Sequence, residues 1–250
     1  MGRIKLTLAY EGTDYAGWQL QPGIRTVQGE LEKAFFSITG EQVRVHGSGR
    51  TDAGVHALGQ VAHFTAPATR SPIPWAKALN VNLPLDVRVL RAEDVADDFH
   101  ARYSAQSKTY AYSLWCDRDR QLPQRRRFVW VCGEVDLEAM DKAARLLLGE
   151  HDFAAFQNKG TVVKTTIRTM HSICRVPGLH SEEWVWRFTA CGFLKQMVRN
   201  IMGCLVAVGR GKIQAEQVGD ILRGLRREAA PPTAPAHGLC LERVVYPENG

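Results

Sequence analysis

Gly47-Ser48-Gly49-Arg50-Thr51-Asp52-Ala53-Gly54-Val55-His56 separates two stretches of strand-like sequence, and the glycines at 47, 49 and 54 make it a turn rather than a continuation of either. Glycine takes positive φ and lets a second backbone come close, which a turn presenting Asp52 and Arg50 to a ligand requires. On the residues alone an ordinary Gly-rich turn is the better explanation. Two phosphate-loop readings fail. Val55-His56 stand where a P-loop needs Lys followed by Ser or Thr, and Gly47-Ser48-Gly49 lacks the third glycine of a dinucleotide fingerprint.

Working outward, residues 42–46 read as a short strand before the turn and 60–65 as one after it. Ile4, Leu6, Leu8 and Tyr10 alternate as a strand does, and Glu11-Gly12-Thr13-Asp14 is its turn. Val27, Leu31, Ala34, Phe35 and Ile38 recur at helical spacing, with Thr26 placed to cap the start and Gly40 to close the end. Ser71-Pro72 starts a helix reaching about Asn80, and 86–91 reads as a strand. The order β-α-β-β-α-β is the split βαβ, ferredoxin-like pattern.

The second half repeats that order with insertions. Strands are predicted over 107–116, 128–132, 164–176, 184–190 and 239–246. Asp136 caps a helix that Gly149 ends, and two further helices run from Phe193 to Val208 and from Gln214 to Leu225. In the first of these two, Leu194, Met197, Val198, Ile201, Leu205 and Val208 form an apolar stripe, opposite Lys195 and Arg199. The chain therefore reads as an α+β protein of two ferredoxin-like halves, 1–104 and 105–250, each with a mixed, mainly antiparallel sheet.

Composition sets bounds on function. With 45% hydrophobic and 23% charged residues the chain is ordinary globular sequence. A net charge of +6 favours a polyanionic partner. Arg118, Arg120, Arg125, Arg126 and Arg127 form one basic cluster, and Arg223, Arg226 and Arg227 a second, although such runs are more often solvated loops than binding sites. Cysteines at 116, 132, 174, 191, 204 and 240 make no C-x-x-C pair and read as reduced thiols. His56 and His63 are better explained as loop and strand residues than as ligands, so no metal is expected. The opening residues lack a signal-peptide core, and the aliphatic run from Ile201 to Val208 is too short to span a membrane, so a soluble cytoplasmic protein is expected.

Several motifs occur in one order: Tyr10-Glu11-Gly12-Thr13 with Tyr15-Ala16-Gly17-Trp18-Gln19, Val27-Gln28, Gly49 to His56, and Asn82-Leu83-Pro84. Then come Asp98-Phe99-His100-Ala101-Arg102, Lys108-Thr109-Tyr110-Ala111-Tyr112, His151-Asp152-Phe153, Gly192-Phe193-Leu194 with Met197-Val198-Arg199-Asn200-Ile201, and Thr233-Ala234-Pro235. Together they resemble the tRNA pseudouridine synthase A (TruA) family over essentially the whole chain. Lys195-Gln196 depart from the Arg-His that relatives more often carry there.

The resemblance implies a pseudouridine synthase fold with a basic cleft between the halves, and isomerisation of uridine to pseudouridine at positions 38, 39 and 40 of the tRNA anticodon stem-loop. It implies Asp52 as nucleophile, Arg199 as the partner of that carboxylate, Tyr110 against the target base, and Arg50 as the side chain that displaces the base. Lys195 becomes an RNA contact and Tyr112, on the same strand face as Tyr110, a packing residue. It further implies a homodimer and, because substrate and product share one formula, no cofactor. Two rival readings are a nucleic-acid glycosylase, which would also use an aspartate on a flipped nucleotide, and a non-catalytic RNA-binding module.

Overall fold

The computed structural model describes residues 2–67 and 73–247. The chain forms two compact units, one of Met1–Gln106 with Cys240–Gly250 and the other of Ser107–Leu239.

In the first unit β1 (Arg3–Tyr10) is the central strand. Its alternation buries Ile4, Leu6, Leu8 and Tyr10 on one face. It pairs antiparallel with β3 (His56–Thr65) on one edge and β4 (Val87–Val95) on the other. Helix α1 (Val27–Thr39) starts where Thr26 accepts from the Gly29 amide and stops where Gly40 turns left-handed at φ 72, as the sequence predicts. Phe35 of α1, Phe64 of β3 and Trp75 at the start of α2 (Trp75–Asn82) form a ring cluster, with centroids 4.3 to 5.5 Å apart, that joins helices to sheet. The predicted start of α2 at Ser71-Pro72 lies outside the described residues.

The free edge of β3 is shared. Strand β2 (His46–Gly47) shrinks to two residues and covers His63 and Ala62, while β10 (Leu239–Val245) runs parallel beside His56 and Ala57. β3 begins at His56 rather than 60, and Gly59 within it is where the β10 backbone passes so closely that a Cβ would overlap the Glu242 carbonyl.

In the second unit β5 (Ser107–Trp115), β9 (Glu183–Ala190), β8 (Ile167–Pro177) and β7 (Gly149–Asp152) lie in that order, all antiparallel, and β6 (Trp130–Val131) adds parallel to β5. Helix α3 (Leu137–Arg145) is capped by Asp136, and α5 (Ala215–Gly224) by a reciprocal Gln214–Gln217 capping box. Helix α4 (Met197–Gly209) corrects two expectations. It begins four residues later than Phe193, and it is buried nearly all round, with Arg199 half-buried among apolar neighbours, so it is a core helix rather than an amphipathic one. Each unit is thus α+β with a mixed, mainly antiparallel sheet. Among the described residues no helix is long and apolar enough to cross a membrane.

Candidate active site

In the first unit, residues 48–55 link β2 to β3 and end in a turn where the Val55 amide donates to the Asp52 carbonyl at 3.2 Å. Gly54 sits at φ +78, a conformation glycine takes without strain. Buried side chains hold this segment from beneath. The Ser48 hydroxyl donates to Gln60 Oε1 at 2.7 Å, Gln60 Nε2 donates to the Gly49 carbonyl at 3.1 Å, and the Tyr10 and Thr51 hydroxyls lie 2.8 Å apart. Residues 12–18 close on it from the side. The Trp18 amide donates to the Thr51 carbonyl at 3.1 Å, the Gly54 amide to the Tyr15 carbonyl at 3.3 Å, and the Gly12 amide to His56 Nδ1 at 3.0 Å.

Two glycines permit that approach. A Cβ at Gly12 would overlap the Val55 carbonyl, and one at Gly17, itself at φ +94, would overlap the Thr51 carbonyl. The opening motif is therefore the wall against which the 48–55 segment is cast. Thr51 and Val55 are buried on either side, Asp52 between them is half-buried, and Arg50 is exposed. A carboxylate whose neighbours are fixed while it remains reachable is positioned ahead of any substrate.

The histidines have structural work. His56 Nδ1 accepts from Gly12, and His63 Nδ1 accepts from the Ala101 amide at 3.1 Å. His63 stacks with His46 and meets His100 edge-on at a 4.6 Å centroid distance. Burial first, then the charges of His100, Arg3 and His46, push its imidazole down to about 4. Among the described residues no group of three or more His, Cys, Asp or Glu side chains is arranged to hold a metal ion.

The second unit carries Tyr110, Lys195 and Arg199. Tyr110 on β5 is buried opposite Phe188, with the Phe193 ring edge-on at 5.0 Å. Tyr112 is fully buried and donates to the Pro235 carbonyl at 2.7 Å, which agrees with the packing role read for it, and burial pushes its phenol well above the usual range. Lys195 is exposed and lies before α4, not on it. Gln196 between them takes φ 61, a left-handed conformation unusual for a residue with a Cβ, and this redirects the chain into the helix.

Arg199 is fastened to a distant segment. Its Nε donates to the Ala234 carbonyl at 2.9 Å, and the Ala234 amide returns a bond to the Arg199 carbonyl at 3.1 Å. Next to it, buried Asn200 donates to the Phe156 carbonyl at 2.7 Å and accepts from Thr233 and Arg227 at 2.7 and 3.1 Å. Gly203 allows the Pro232 carbonyl to touch the helix. Sequence reading singled out Thr233-Ala234-Pro235 without a reason for it; its role is to seat Arg199. The supporting roles of Tyr10, Gln60, Asn200 and Arg227 were not read from the sequence. Gln60 had no local signal, whereas Asn200 stood out as a polar residue in an apolar helix.

The basic clusters also divide. Arg125 makes a paired contact with buried Glu183, at 2.5 and 3.2 Å, and Arg227 is bound to Asn200, so both are structural. Arg118, Arg120, Arg126 and Arg127 are exposed.

A family model described as tRNA pseudouridine synthase matches residues 7–104 and 143–247. The tRNA pseudouridine synthase A of Maridesulfovibrio salexigens is 55% identical over 250 residues, covering 100% of this chain and 92% of its own. That of Solidesulfovibrio magneticus is 54% identical over 255 residues, covering 100% and 93%, and that of Lawsonia intracellularis 50% identical over 256 residues, covering 98% and 100%. These likenesses define the class, an isomerase that converts uridine to pseudouridine in tRNA. The chain belongs to the tRNA pseudouridine synthase A family. An isomerase leaves no place for the glycosylase or the passive RNA-binding module.

Proposed function

We propose that the chain modifies uridines 38, 39 and 40 in the anticodon stem-loop of tRNA, with Asp52 as nucleophile. The observation that carries the role of Asp52 is its mount: the residue stays reachable on a turn whose buried neighbours Thr51 and Val55 are held by Tyr10, Ser48, Gln60 and the 12–18 wall. The target nucleotide must first leave the stack, at a cost of a few kcal/mol, because its glycosidic carbon and carbon 5 are otherwise beyond reach. Arg50, exposed beside Asp52, is suited to take the vacated place with its planar guanidinium.

The Asp52 carboxylate then opens a covalent route on which the base detaches, rotates and rejoins the sugar through carbon 5. Arg199 is the guanidinium that keeps that carboxylate ionised and aimed. Tyr110 lies against the base, and its hydroxyl assists loss of the carbon 5 proton. Lys195 and the exposed Arg118, Arg120, Arg126 and Arg127 contact phosphates. The enzyme acts as a homodimer, which lets one tRNA span two subunits.

Incubation with tRNA carrying tritium at uridine carbon 5 tests the nucleophile. Label is released by the wild type and not by Asp52→Ala, while both bind tRNA; release by Asp52→Ala at the wild-type rate would remove Asp52 from the chemistry. Carbodiimide mapping of the product locates the modified positions, and modification outside 38 to 40 would refute the site.

A further inference from the structure

We infer that Cys116 and Cys132 form a modification site, a vicinal dithiol that a peroxide closes to a disulfide. Both lie in the second unit and neither carries a role in the reaction proposed above, so the inference does not rest on that reading. Cys116 follows β5 and Cys132 follows β6, and these strands run parallel in register, Leu114 beside Trp130 and Trp115 beside Val131. One further step along that register places the two cysteines opposite each other. Their sulfurs lie 3.8 Å apart in a hydrogen bond, and the Cys132 amide fixes the pair by donating to the Trp115 carbonyl at 2.9 Å.

The pair is reachable and polarised. It lines an open depression of about 700 Å³ together with Arg118 and Arg210, and Cys116 is only half-buried. The Cys132 thiol hydrogen-bonds the Cys116 sulfur and Arg175 adds positive charge, so Cys116 is held below its ordinary value and is the attacking thiolate, while Cys132 is held above it. The other four cysteines have no such thiol partner among the described contacts: Cys174 and Cys191 are exposed, Cys204 is buried on α4 and Cys240 is half-buried on β10.

The chemistry balances with a peroxide as oxidant. The Cys116 thiolate attacks one peroxide oxygen, the O–O bond breaks, and the sulfur becomes a sulfenic acid as hydroxide leaves and is protonated to water. Cys132 sulfur then attacks the sulfenic sulfur, the S–O bond breaks, and the departing hydroxide takes the Cys132 proton as a second water. Two thiols are oxidised by two electrons and one peroxide is reduced. The bond ties together the two ends of the 117–131 loop, which carries the exposed arginines.

Reduced full-length protein treated with equimolar hydrogen peroxide, alkylated and mapped by peptide mass spectrometry tests this. The Cys116 and Cys132 peptides should appear cross-linked, about 2 Da lighter than the two thiols, and return to alkylatable form with dithiothreitol. Cys132→Ser should stop at a sulfenic acid on Cys116 that dimedone traps. Full alkylation of both residues after peroxide, with Cys174 or Cys191 oxidised first, would overturn the inference, as would a dimedone adduct in Cys132→Ser that maps elsewhere.

Discussion

The carboxylate of Asp52 and the guanidinium of Arg199 are held in opposite ways. Asp52 rides on a turn fixed by glycines and by the hydroxyls and amide of Tyr10, Ser48 and Gln60, whose groups sit directly beneath it. Arg199 rides on a buried helix, and what fixes it is a later segment, bonded to Arg199 through Ala234 and to the neighbouring Asn200 through Thr233 and Arg227. The first mount is a rigid cast, in which a displaced backbone has nowhere to go. The second is a clasp, closed by a segment from outside the helix.

Gly17→Ala should distinguish cast from clasp with the largest effect. It combines a left-handed φ with overlap on the Thr51 carbonyl, so it should cost about 3 kcal/mol or more and lower kcat at least about tenfold. Gly203→Ala also overlaps a backbone carbonyl, that of Pro232, but without a left-handed φ, so it should cost less. Equal losses of Tm and kcat in both variants would end the distinction.

Asn200→Ala tests the clasp itself. It leaves Arg227, Thr233 and the Phe156 carbonyl without their buried partner, and urea unfolding should show a loss of about 2 to 3 kcal/mol. A loss below about 0.5 kcal/mol would mean that the segment docks by packing alone.

A third measurement uses pH. With its folded value near 4 and its unfolded value near 6.5, the His63 imidazole binds fewer protons in the folded state. Its contribution is therefore complete above pH 6.5 and lost as pH falls toward 4. Allowing for solvent screening, the loss should be about 1 to 2 kcal/mol. His63→Asn, which can still accept from the Ala101 amide, should flatten that acid slope; an unchanged slope would assign it to other groups, such as the half-buried His237 of the second unit, which burial also lowers.

Tyr10→Phe should have the smallest effect. Removing one hydroxyl from the Thr51 and Gln60 contacts should cost about 1 kcal/mol and lower kcat while leaving KM for tRNA nearly unchanged. A change confined to KM would show that the network shapes binding rather than the turn.

What could be read from sequence follows from where each signal resides. Helix α1 was legible because apolar spacing, Thr26 and Gly40 all lie within the element. The late start of α4 was not, since nothing in a glutamine announces the φ of 61 at Gln196. Strand β7, Gly-Glu-His-Asp, has no apolar alternation, and its Gly149 read as a helix end. The 47–56 turn and the motif order identified Asp52, Tyr110 and Arg199 as candidates. The means of holding them did not show, because the partners of Asp52 and Arg199 come from other elements and burial is a property of the assembled unit.

Strand β10 adds a matter of timing. The first unit takes residues 1–106 and then 240–250, so on the ribosome its β3 edge beside His56 stays bare while the whole second unit is made. At about 5 to 20 residues per second, that is an interval of roughly ten seconds. During it the nascent chain exposes an unpaired strand edge next to the very turn that carries Asp52, and it is β10, made only after the second unit, that seals it.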